Sequence, residues 1–169
     1  METCRRFDRR KAIEVLLHVA KECPDMYRAL KIVYFADRAH LSMYGRLICD
    51  DRYVAMSHGP VPSGAYALIQ EVRGESIYPP GKDTLSAIQL DGNNIVGKRE
   101  SNGDVLSRSE IERLDSAIAT YGNRTFAELQ SESHDAAYHA ANENDEIPLQ
   151  ALVESVPDGK LLWQSLIAD

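Results

Sequence analysis

The chain has 169 residues, 44% of them hydrophobic and 27% charged, with a net charge of −7. That length suits one domain able to bury a core without staples, and the composition excludes a disordered chain. The acidic balance argues against nucleic-acid binding, and no apolar run approaches the ~20 residues of a membrane span.

Residues 8–22 read as an amphipathic helix, because Ile13, Leu16, Leu17 and Ala20 recur at spacings of three and four. Pro24 interrupts it, and Asp25 is placed to cap a second helix that runs to Tyr44, where Gly45 supplies a stop. Along that helix Tyr27, Leu30, Tyr34, Asp37, Leu41 and Tyr44 share one face, while Ile32, Val33 and Phe35 cover others. A helix apolar nearly all round belongs at the centre of a fold. Arg52 to Met56 is a short extended segment leading into His58-Gly59-Pro60-Val61-Pro62, a turn whose two prolines forbid helix. Ser63 is expected to cap a third helix carrying Tyr66, Leu68, Ile69 and Val72. A Gly/Pro-rich passage follows from Arg73 to Lys82. Leu85 to Leu90 and Ile95 to Lys98 then flank the turn Asp91-Gly92-Asn93-Asn94 as a small hairpin.

Ser107-x-x-Glu110 and Thr125-x-x-Glu128 are capping-box signatures and open two further helices, the first ending at Gly122. Asp135 is placed to cap another. Pro157 and Asp158 start the last, anchored by Leu161, Leu162, Leu166 and Ile167. The expected fold is mainly α: a single compact domain of about seven helices, with a small β-hairpin and a short extended segment. Residues 1–12 are expected to form a basic, partly disordered leader and residues 13–169 the domain.

Asp37 and His40 are neighbours on the second helix, and His58 with Asp50 and Asp51 follows within twenty residues. Such a set can hold a metal or serve acid–base chemistry. The spacing is not that of a metalloprotease helix, and Asp37 lies on the apolar stripe, where a carboxylate more often anchors buried amides or a hydroxyl. No nucleophile elbow, P-loop or dinucleotide fingerprint is present. Cys4, Cys23 and Cys49 are odd in number and form no CxxC pair, so free thiols in a reducing, cytoplasmic compartment are expected. Arg5, Arg6, Arg9, Arg10 and Lys11 could touch DNA phosphates, but a solvated leader is the better reading. Residues 101–169 hold four Lys/Arg against thirteen Asp/Glu, a solvated acidic face or a patch that steers a basic protein surface. Tyr34, Tyr44, Tyr53 and Tyr66 suit cores and protein interfaces alike.

The run Lys31-Ile-Val-Tyr-Phe-Ala-Asp-Arg-Ala-His-Leu-Ser-Met-Tyr-Gly-Arg46, then Asp51-Arg-Tyr-Val-Ala-Met-Ser-His-Gly-Pro-Val-Pro62, resembles the Panacea domain of SocA-like antitoxins. The resemblance resumes at Leu106 to Asp115, Tyr121-Gly122 and Ser133-His134, and spans about Ile13 to Ala151. It implies an antitoxin that neutralises a cognate toxin, encoded nearby and often in a prophage, by direct protein contact. The family's founding member delivers its toxin to the ClpXP protease, so a proteolytic adaptor is the alternative mechanism. A metal-dependent hydrolase and a DNA-binding regulator are the alternatives of other classes. The resemblance implies no enzymatic activity, no cofactor and no metal. Some members carry an added DNA-binding part, for which about a dozen residues before the domain and under twenty after it leave no room. Cys49 stands where a small residue is common in the family. Tyr34, Arg38, His40, Tyr44, Tyr53, Pro60, Val61, Pro62 and Tyr66 are expected to form the working face, with Arg38 meeting a toxin carboxylate. Asp37, His58, Gly59 and His134 are expected as structural anchors.

Overall fold

The computed structural model describes residues 5–168. Its central element is α2 (Met26–Tyr44), in which every residue from Ala29 to Asp37 is buried. Asp25 accepts the Arg28 amide and so caps the start of α2, and Gly45 ends it in the left-handed region at φ 72°, where a side chain would be strained. Around α2 pack α1 (Arg9–Ala20) and α5 (Arg108–Tyr121), whose buried faces supply Val15, Leu16, Val19 and Leu114. Both capping boxes form: Ser107 with Glu110 opens α5, and Thr125 with Glu128 opens α6 (Phe126–Ser133). Asp135 caps α7 (Ala136–His139) by accepting the Tyr138 amide.

The described residues hold nine helices and two hairpins, more of each than the sequence pattern suggests. The second hairpin is the segment expected as an extended piece plus a rigid turn. β1 (Tyr53–Met56) pairs antiparallel with β2 (Gly59–Pro62), joined by Ser57 and His58. Prolines are tolerated in β2 because of the register. Pro60 and Pro62 face Ala55 and Tyr53, which turn their backbone groups away from β2, to Asn144, Asp145 and Ile147. The prolines therefore sit where no ladder donor is needed.

Four boundaries also differ. Ser63 is the first residue of α3 (Ser63–Arg73), not its cap; the Asp51 carboxylate, twelve positions earlier, accepts the Gly64 and Ala65 amides at 2.7 and 2.9 Å. Leu85 belongs to α4 (Lys82–Ala87), so the other hairpin is only β3 (Ile88–Asp91) with β4 (Asn94–Gly97). A short helix α8 (Leu149–Glu154) precedes α9 (Gly159–Ala168), and on α9 Leu161 and Ile167 are exposed while Leu162 and Leu166 pack inward. Finally, Arg9–Ala12, counted in the leader although the helical pattern covers 8–22, are the first turn of α1, which ends at Ala20. Met1 to Cys4, with the Cys4 thiol, lie outside the described residues. Cys23 and Cys49 are free and buried, and no described helix is long and apolar enough to cross a membrane.

Candidate partner-binding site

Within the Lys31–Tyr66 run, Lys31, Asp37, His40 and Asp51 face inward and tie α2 and the β1–β2 hairpin to other parts of the chain. Asp37 is 1% exposed; its two oxygens accept the Ile48 amide at 2.7 Å and the Tyr53 hydroxyl at 2.6 Å. Burial pushes its carboxyl up to about 7, although both bonds pull the other way. Tyr53 stacks edge-on against Tyr34 at 5.1 Å. The Tyr34 hydroxyl donates to Asp135 at 2.7 Å, and burial followed by the Asp135 charge holds its pKa far above the usual phenol range. Arg38 donates to the same Asp135 oxygen at 2.7 Å and to the Ser155 carbonyl at 2.8 Å.

His40 lies 2.9 Å from the Arg46 carbonyl through Nδ1 and 3.0 Å from the Ser109 hydroxyl through Nε2. A carbonyl only accepts, so Nδ1 carries the proton and Nε2 accepts. Burial lowers its pKa, which agrees with a neutral ring. One turn from the start of α2, Lys31 is 3% exposed and donates to the Pro60 carbonyl at 3.0 Å. Among the described residues no carboxylate pairs with it, and burial lowers it to about 8.

The expected working face is thus divided. Tyr34, His40 and Tyr53 are fully buried, Pro60 and Pro62 are buried, and Val61 and Tyr66 are partly so. They bear on one another and on the core, as large groups at helical spacing on a central helix must. Arg38 remains half-buried and Tyr44 is 47% exposed. Among the residues expected as anchors, Asp37 accepts the Ile48 amide and the Tyr53 hydroxyl. Gly59 is buried at φ 112°, and a Cβ there would lie 2.6 Å from the Ser133 hydroxyl and 2.8 Å from Lys31 Nζ. His58 is exposed at the tip of the β1–β2 hairpin, edge-on to Phe126 at 5.6 Å, and holds no helix. His134 stacks on Tyr138 at 4.2 Å with Nε2 buried and unpartnered.

Asp37, His40 and His58 therefore do not converge, and no group of three His, Cys, Asp or Glu suited to a metal occurs among the described residues. Asp51 stands in the sequence only as a member of the Asp/His set and Asp135 only as a cap, while Lys31 and Glu110 carry no expected site role. Each is a buried or half-buried charge serving a partner far away in sequence. Glu110, which accepts from Lys11 and Arg46, carried one signal, its capping box.

What remains accessible around α2 is a strip formed by Arg38, Ala39, Ser42, Met43 and Tyr44, together with Tyr27, Phe126 and His58 near its other end. Exposed aromatic, Met and Arg side chains on a rigid helix suit contact with another protein.

Residues 30–138, well over half of the chain, match the family model described as antitoxin SocA-like, Panacea domain. No curated protein and no solved structure matches the chain.

Proposed function

Since the chain belongs to the SocA-like Panacea antitoxin family, we propose that it neutralises a cognate protein toxin by direct binding in the cytoplasm, without catalysis or a cofactor. The observation that carries this reading is the family match over residues 30–138, whose first part is α2 with the β1–β2 hairpin. The geometry supports a binding role for that part. Asp37 and His40 are used up in holding the fold, which leaves a fixed helix surface with Arg38, Met43 and Tyr44 outward. Tyr34, His40 and Tyr53 act by positioning that surface rather than by touching the toxin.

The test is co-expression with the product of the neighbouring gene. Restored growth and co-purification of the two chains are the expected result. Growth arrest that persists despite soluble antitoxin refutes the reading. Repeating the assay in a host lacking ClpX separates sequestration, in which rescue survives, from delivery to the protease, in which it is lost.

A further inference from the structure

One strip of α2 is left uncovered by the rest of the fold. Arg38, Ala39 and Ser42 are half-buried and Met43 is 59% exposed. α5 forms one side of this strip, and its Tyr121 ring stacks on Phe35 at 4.0 Å. The Val156–Pro157 link between α8 and α9 forms the other side, and together they enclose a groove of about 330 Å³. The small side chains of Ala39 and Ser42 leave its floor open, while Phe35, Tyr121 and Met43 make it apolar.

Its charge is opposite to that of the whole chain. No acidic residue is among its lining residues, and Arg38 is the charged one. Arg113 of α5 reaches over the lip, with Nη1 3.3 Å from the Met43 sulfur. Arg38 is committed to Asp135 and the Ser155 carbonyl. Arg113 has no carboxylate partner among the described residues, and its Nε, like that of Arg38, is buried without an acceptor. At the far end Arg124 lies over the Tyr121 ring at 5.0 Å and pairs with Glu132. A guanidinium whose contacts are a thioether and no anion is a ready site for a carboxylate, which it meets with two parallel donors.

The geometry points to this groove as the seat of a toxin segment that presents an apolar side chain next to a carboxylate: the apolar group enters over Ala39 and Ser42, and the carboxylate pairs with Arg113. The assignment rests on the antitoxin reading and names the chemistry of the surface it engages. The net charge of −7 does not oppose it, because charges beyond a Debye length of about 8 Å are screened while a pair inside the groove is not.

The experiment measures binding of the toxin recovered by co-expression, in inactive form, to full-length variants whose melting matches the wild type. Ser42→Trp, which fills the floor, and Arg113→Glu, which reverses the lip, should each weaken binding by about 10-fold or more. Lys82→Glu on α4, an equal charge reversal outside the groove, should leave it unchanged. A toxin Asp or Glu changed to Arg should restore binding to Arg113→Glu alone. Met43→Asp at its exposed position repeats the test if Ser42→Trp unfolds. Wild-type affinity in the groove variants overturns the assignment while the antitoxin reading stands. A wild type that binds no toxin overturns both. A free protein that is a dimer split by Ser42→Trp gives the groove to a second copy and also overturns it.

Discussion

Asp37 is the most informative residue to perturb, because two interior donors depend on it. Replacing it by Ala leaves the Ile48 amide and the Tyr53 hydroxyl without acceptors, and both residues are buried. An orphaned buried donor costs about 1–3 kcal/mol, so the pair amounts to ~2–6 kcal/mol. Against this stands the ionisation of Asp37 itself. Its folded value of about 7 lies above the ordinary 3.8, so the folded state holds its proton more tightly than the unfolded one. Stability tied to that proton is fully present below 3.8 and is lost as pH rises through 7. Between about pH 5.5 and pH 8.5 the wild type should lose on the order of 2 kcal/mol that neither Asp37→Ala nor Asp37→Asn loses. Urea denaturation at both pH values measures this. Asp37→Ala should be the least stable protein at the lower pH, with its deficit shrinking at the higher. Asp37→Asn keeps an oxygen for the Ile48 amide and should recover ~1–2 kcal/mol of the loss. An Asp37→Ala protein as stable as the wild type at the lower pH, or a deficit independent of pH, would refute the account of Asp37 as a buried, shared acceptor.

Three further outcomes follow from the same structure. Lys31 falls from 10.5 to about 8 through burial, so the unfolded state binds the proton more tightly and stability should rise with pH between those values. The full effect is at most about 3 kcal/mol, and the comparison of wild type with Lys31→Met in denaturant at about pH 8 and pH 9.5 should show the rise in the wild type alone. Gly59→Ala combines a left-handed backbone with contacts to Ser133 and Lys31 that are too close, and should lower stability by ~2 kcal/mol or more in thermal melts. Burial pushes Glu110 up, but its bonds from Lys11 and Arg46 win and hold it near 2. Its stabilisation is present above 4.5 and lost as pH falls through 2, so Glu110→Gln should flatten the acid-unfolding curve in circular dichroism.

Much of this fold is legible locally. The two capping boxes, the Asp25 cap, the Gly45 stop and the limits of α2 follow from residues within one helical turn of each other. What the pattern misses depends on partners far away in the chain. β2 reads as a turn because its prolines forbid a donor, and only the bonds of β1 to Asn144–Ile147 show that no donor is wanted there. Ser63 reads as a cap because nothing nearby reveals that the Asp51 carboxylate comes back to the same amides. α8 is a helix of six residues without a side-chain cap, too short to show a period.

The burial of Tyr34, His40 and Tyr53, expected on the working face, has a related origin. On a helix that is apolar all round, a polar side chain looks like a site, since the sequence gives it no visible partner. Tyr34 and His40 find theirs at Asp135 and Ser109, 101 and 69 positions away, and Asp37, expected as an anchor, finds Ile48 eleven positions away. The same arithmetic isolates the residue that the pattern passed over. Arg113 sits on α5 among ordinary charged neighbours, yet folding gives it a sulfur and no carboxylate. Polar groups that the fold satisfies set the stability of this domain, and a cation that the fold leaves unmatched beside an apolar groove is where a partner has something to add.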